Sequence, residues 1–216
     1  LDLAANDEAR TVLFTRSRVV AAIRHFMESR KFIEVDTPIL IPVASGALAR
    51  PFATHHNALD QTLYLRIATE LYLKRLIVGG LDKVFEIGRV FRNEGIDINH
   101  NPEFTLMESY EAYADYNDVM YMVESLVYDV AMKVLSRPTI SWGPDTIDLT
   151  PPWRRLSLRD ELSEILGADL DSYPNATALA SRLQKLGVNV DARQSRGRLI
   201  DKLIGDLLQP RLLQPT

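Results

Sequence analysis

The chain has 216 residues, 46% of them hydrophobic, with 25 Lys and Arg against 29 Asp and Glu and a formal charge of −4. That length and apolar content suffice for a buried core and one or two domains; the mild acidity is no global signature of nucleic-acid binding, so an RNA contact would need a local patch. Cysteine is absent, which excludes disulfides and thiolate metal sites, and no stretch approaches the roughly 18 apolar residues of a membrane helix.

The chain opens Leu-Asp-Leu-Ala-Ala-Asn-Asp-Glu, without an initiator Met or a signal peptide's basic and apolar regions. It therefore reads as a piece of a longer protein. Residues 6–30 are expected to be helical, with Val19, Val20, Ile23, Phe26 and Met27 as the apolar stripe. Residues 31–40 alternate and then meet Pro38, which predicts an extended edge strand. Residues 42–62 read as loop. His55 and His56 are adjacent there, but neighbours on an extended chain point apart and no carboxylate sits at ligand spacing, which argues against a metal. A strand over 63–67 precedes a helix that Thr69 is placed to cap and that Gly79-Gly80 ends. Glu70 falls in its first turn, where an acid favours the helix dipole.

Residues 84–94 again alternate, the polar loop 95–102 has turn chemistry, and 104–113 alternate once more. Paired as an antiparallel hairpin, the first run carries Arg92 and Glu94 on one face. The second carries Phe104, Glu108 and Tyr110 on one face. Whether the two faces coincide depends on register, which the sequence does not fix. If they do, one surface holds a cation, two carboxylates, a phenol and an aromatic platform. Taken singly, an Arg–Glu pair is an ordinary surface ion pair and a Phe is ordinary core.

A long helix capped by Asn117 is expected next, with Val119, Met120, Val123, Leu126, Val127, Val130 and Val134 buried and its end at Arg137-Pro138. A second hairpin is expected over 139–149 around Gly143-Pro144-Asp145, with Trp142 and Trp153 as packing residues. Pro151-Pro152 marks a sub-domain break. The rest reads as three helices: Ser157 to Gly167, one from Asn175, and one over 198–208. Arg193, Arg196 and Arg198 read as a solvated face. The boundary so drawn separates 1–150 from a mostly helical 151–216.

Phe91-Arg92-Asn93-Glu94, the loop, and His100-Asn101-Pro102-Glu103-Phe104-Thr105 resemble motif 2 of the class II aminoacyl-tRNA synthetases. The continuation Glu108-Ser109-Tyr110-Glu111-Ala112-Tyr113 is similar to the lysyl branch; the aspartyl and asparaginyl branch departs after the first pieces. The helix and strand over about 17–40, ending in Pro38, resemble motif 1, with Lys31 standing where the family usually has Gly. The resemblance implies an α+β fold: the class II catalytic fold, an antiparallel sheet flanked by helices, here truncated and with 151–216 as a helical insertion between motifs 2 and 3. It also implies a homodimer through motif 1 in the cytoplasm.

For chemistry, the resemblance implies ATP-dependent activation of L-lysine to lysyl-adenylate and transfer to tRNA(Lys). ATP would be held by Arg92, Glu94, His100, Asn101 and Phe104, with Glu94 on the adenine amino group and Phe104 stacked on the ring. Lysine would be held by Gly46, Glu70, Arg92, Glu108 and Tyr110, with Glu70 taking the α-ammonium and Glu108 and Tyr110 lining the side-chain pocket. Arg92 is the catalytic candidate. Its planar fork can bridge carboxylate and α-phosphate, and joining two anions demands charge neutralisation in a fixed geometry. An anticodon-binding domain, motif 3 and the Mg²⁺ ligands are expected outside the chain, which is therefore expected to be inactive alone. A non-catalytic binding or dimerisation module, and a paralogue that lysylates a protein, are the other readings.

Overall fold

A computed structural model describes residues 2–95, 100–191 and 193–216. The chain divides into two compact units at residues 134/135. The hairpin that the sequence groups with the first region thus falls in the second unit.

In the first unit, helix α1 (Asp7–Ser29) starts at Asn6, whose side chain accepts the N–H groups of Glu8 and Ala9. Its end is a Schellman turn: Lys31 N–H donates to Glu28 O at 2.9 Å and Phe32 N–H to Met27 O at 3.1 Å. This turn requires a left-handed residue, and Lys31 supplies it at φ 69°. A side chain there is strained, which explains why glycine is usual at this position. Lys31→Gly is expected to raise stability by about 1 kcal/mol, read as a higher urea midpoint with unchanged slope.

The strand expected over 31–40 is broken. β1 (Ile33–Glu34) pairs in parallel with β5 (Lys83–Phe91), and β2 (Leu40–Ile41) joins a different sheet. That sheet has the order β2, β4 (Gln61–Leu65), β3 (Ala53–His56). Helix α2 (Glu70–Val78) follows, with Thr69 at the cap position; its side chain makes no capping bond.

β5 forms an antiparallel hairpin with β6 (Glu103–Glu111) in the unbroken register Lys83↔Glu111 through Phe91↔Glu103. Residues 96–99, in the middle of the polar loop expected between them, lie outside the described residues. Odd-numbered Phe85, Ile87 and Met107 face the core and pack with Phe26, Met27 and Phe32 from α1 and its turn. Met122 and Leu126 of helix α3 (Tyr116–Leu135) complete this cluster. The cap of α3 is Asp115 rather than Asn117. Its Oδ1 accepts the N–H groups of Asn117 and Asp118 at 2.7 and 3.2 Å, and Asp118 Oδ2 accepts Asp115 N–H at 2.8 Å. The apolar stripe is shifted as well: Met122, Leu126, Ala131 and Val134 are buried, whereas Val119 and Val123 are exposed. Valines recur so often in this helix that more than one stripe fits them.

The second unit opens on the hairpin β7 (Thr139–Trp142) and β8 (Asp145–Asp148). Trp142 is 70% exposed, so it is not a packing residue, whereas Trp153 Nε1 donates to Leu149 O at 3.1 Å. Helices α4 (Leu158–Leu166), α5 (Ala176–Lys185) and α6 (Arg196–Leu203) are capped by Ser157, Asn175 and Ser195. They enclose a core that includes Leu162, Leu166, Leu179, Leu183, Leu199 and Leu203. Arg196 does not belong to a solvated face. Its guanidinium donates to Tyr173 O at 2.8 Å and Leu170 O at 3.1 Å, pinning α6 to the preceding turn.

Candidate functional site

The register decides what the sequence left open. Val90 faces Phe104, Glu86 faces Glu108 and Val84 faces Tyr110, and Arg92 N–H donates to Pro102 O at 2.8 Å, extending the pairing by one step. Arg92, Phe104, Glu108 and Tyr110 therefore share the face opposite the core, because side chains alternate along each strand.

At the loop end of this face, Arg92, Glu94, Gly95, His100, Asn101 and Phe104 line one cleft of about 320 Å³. All five residues matched to ATP in the sequence are thus brought together. The Arg92 guanidinium stands over the Phe104 ring, with Cζ 5.1 Å from its centroid, a cation–π distance that holds the side chain flat against the aromatic. Arg92 Nε is buried and makes no hydrogen bond. A buried donor without an acceptor costs about 1–3 kcal/mol, and an anion entering the cleft would recover it.

The other end gathers the remaining candidates. Gly46, at φ 90°, passes so close to α2 that a Cβ there would lie 3.0 Å from the Cβ atoms of Ala68 and Glu70. Only glycine brings backbone this near to the Glu70 carboxylate. Glu70 pairs with Lys74 one turn on, and Lys74 Nζ lies 5.9 Å from the Tyr110 ring centroid. Glu108 accepts the Thr69 N–H at 3.4 Å and the Tyr110 hydroxyl at 3.5 Å. Thr69 Oγ1 is buried without a partner. Burial, the facing Glu108 carboxylate and then Glu70 push the Tyr110 phenol up to about 12. A neutral phenol between two acids can donate to one of them, and two carboxylates with one internal cation suit a ligand carrying positive charge.

The raised phenol has a stability consequence. A group with a higher pKa folded than unfolded adds stability below its unfolded value, near 10. That contribution is lost as pH rises through about 12. The difference in absorbance between the chain and its Tyr110→Phe form is expected to titrate near 12, and Glu108→Gln should lower that midpoint. A Tyr110 midpoint near 10 would show that neither burial nor Glu108 acts on it.

Sequence reasoning missed the buried pair between these two groups. Arg66 and Glu86 are each 2% exposed and joined by an ion pair, and Thr37 donates to Glu86 Oε2 at 2.6 Å. A signal was present: Gly88 lies inside a strand, and a strand glycine often marks the close approach of another group. Here that group is the Arg66 guanidinium, which a Cβ at position 88 would strike. Two further residues expected to be bland are so: His56 Nδ1 accepts Leu59 N–H at 3.2 Å, and His55 lies 3.5 Å from Asp60. Among the described residues, no group of three His, Asp or Glu could hold a metal ion, so these residues do not supply a Mg²⁺ set. No helix among them is long and apolar enough to cross a membrane.

The family model for class II tRNA synthetases (D, K and N) matches residues 1–202. The chain belongs to that family. It has the class II catalytic fold in α+β form, with two small sheets flanked by helices. Over its whole length it is 53% identical to lysine–tRNA ligase of Dehalococcoides mccartyi and 48% identical to that of Moorella thermoacetica. Lysine–tRNA ligase of Roseiflexus sp. is 49% identical, again across the full chain. The chain spans 43%, 44% and 44% of these relatives, less than half of each.

Proposed function

We propose that this chain carries the amino-acid activation site of a lysine–tRNA ligase, which joins L-lysine to ATP as lysyl-adenylate and passes the lysyl group to tRNA(Lys). One observation carries the reading. A single hairpin face bears an arginine with an unsatisfied buried donor at one end and a carboxylate–phenol group at the other. In the first step a lysine carboxylate oxygen attacks the α-phosphorus of ATP, a P–O bond forms, and the bond to pyrophosphate breaks. Arg92 lies where it can neutralise both anions and stabilise the charge that grows at phosphorus. Phe104 offers its ring to adenine, Glu94 accepts from the adenine amino group, and His100 and Asn101 flank the nucleotide.

Glu70, beside the Gly46 backbone, takes the α-ammonium. Glu108 with Tyr110 takes the side-chain ammonium, since a partly buried carboxylate favours an ion over a neutral side chain. No side chain has to act as nucleophile or general base. The described residues provide no Mg²⁺ ligands, and none of these roles depends on the metal. The reading includes a cytoplasmic enzyme and a homodimer formed through α1. In support of the dimer, α1 exposes Val12, Leu13 and Phe14 at 65%, 52% and 70%, more apolar surface than a free helix end favours. A monomer by light scattering at every accessible concentration would remove that part.

The test is to put this chain in place of the matching span of the Dehalococcoides mccartyi enzyme and measure lysine-dependent ATP–pyrophosphate exchange. Exchange comparable to the recipient's supports the reading. A folded hybrid with no exchange would favour a binding or dimerisation module instead.

A further inference from the structure

β1 covers one edge of β5 only at Val84 and Phe85, and Val35 N–H adds one bond to Phe85 O at 2.9 Å. β5 runs on to Phe91, and among the described residues no strand pairs with that edge beyond Phe85. Such an edge leaves backbone groups needing partners. Arg66 supplies them. Its carbonyl accepts Phe91 N–H at 2.9 Å, its Nε donates to Arg89 O at 2.8 Å, and its own N–H reaches Ile39 O at 2.9 Å.

The guanidinium then lies over Gly88, where it meets Glu86 and donates to Thr37 O at 3.0 Å and Thr37 Oγ1 at 3.1 Å. One residue thus replaces an edge strand, using its backbone for one bond and its side chain for the next. Arg92 begins one residue past this brace. Its Nε has no protein acceptor, so the aim of its side chain is inherited from the backbone beneath it. That backbone is held at Phe91 by Arg66 O, at Arg92 by Pro102 O and at Asn93 by Arg50 O.

We propose that Arg66 is a positioning residue for Arg92: with Glu86 and Thr37 it forms the missing edge of β5 and fixes the strand end from which Arg92 reaches the nucleotide cleft. The role assigned to Arg92 rests on the activation-site reading, but the brace itself can be measured without any ligand. Arg66→Met combined with Glu86→Met removes the ion pair without stranding a charge, an exchange that buried pairs often tolerate. Arg66→Lys keeps a charge for Glu86 but cannot bond Arg89 O and Thr37 together, because a single ammonium lacks the fork.

In this chain the Arg92 Nε–H resonance, assigned by its loss in Arg92→Lys, is read in the parent and both variants beside thermal melts and ATP titrations. The expected result is cooperative melting with a displaced Arg92 resonance whose proton exchanges faster with solvent. ATP binding by the parent would be weakened by at least about tenfold in the variants, since small misplacements of a site group are costly. An Arg92 resonance unchanged in a folded variant overturns the proposal, whatever the melting temperature. A displaced resonance in a parent that binds no ATP supports the brace and counts against the nucleotide reading alone.

Discussion

Arg92→Ala, introduced into the hybrid enzyme, is expected to lower lysine-dependent ATP–pyrophosphate exchange by roughly two to three orders of magnitude, the size of losing one preorganised donor at a centre of developing charge. The loss should fall mainly on turnover. The guanidinium stands 5.1 Å from the Phe104 ring with its Nε buried and unpaired, so it is held ready rather than recruited by substrate. Phe104→Ala should act differently. It removes a flat apolar partner and the support under Arg92, and should therefore weaken ATP binding as well as turnover. Arg92→Lys should recover little, because a point charge cannot bond two oxygens side by side. Exchange within tenfold of the unmodified hybrid would remove Arg92 from the chemistry.

Glu86→Ala is expected to destabilise the first unit by about 3–5 kcal/mol, because it leaves the 2%-exposed Arg66 charged and without its counter-ion. That is a large part of the stability of an ordinary domain. The companion Arg66→Met/Glu86→Met should cost much less than Glu86→Ala, a non-additivity that a double-mutant cycle in urea would measure. If Glu86→Ala cost no more than an exposed-pair substitution, below about 1 kcal/mol, the pair would not be the buried link that the structure describes.

The hairpin could be read from alternation and turn residues, and so could the identities of the residues on each strand's faces. What could not be read was the register, since a slip of one residue in either strand leaves the alternation intact. The register Val84↔Tyr110 to Val90↔Phe104 put the two candidate faces together. Arg66 was missed for a related reason. In the run over residues 63–67 it looks like one polar step of an edge strand, and nothing local says that its partner lies 20 residues away in Glu86. The cap of α3 shows a smaller limit: Asp115 and Asn117 are both good capping types, and only the backbone turn selects Asp115. Lys31 shows the reverse. Its departure from glycine was visible in the sequence, while the left-handed turn that makes the departure costly was not.

The alternation of β5 and β6 has a consequence for how this scaffold can change over generations. Phe85, Ile87 and Met107 answer to the helices behind the sheet, while Glu108 and Tyr110 answer to whatever sits in front of it. The two sets are interleaved residue by residue, yet they are under separate selection, because a side chain on one face has no contact with the demands on the other. A lineage can therefore rewrite positions 108 and 110 for a different side chain without disturbing the packing that makes the hairpin fold. Specificity and foldability are inherited here on alternate letters of the same word.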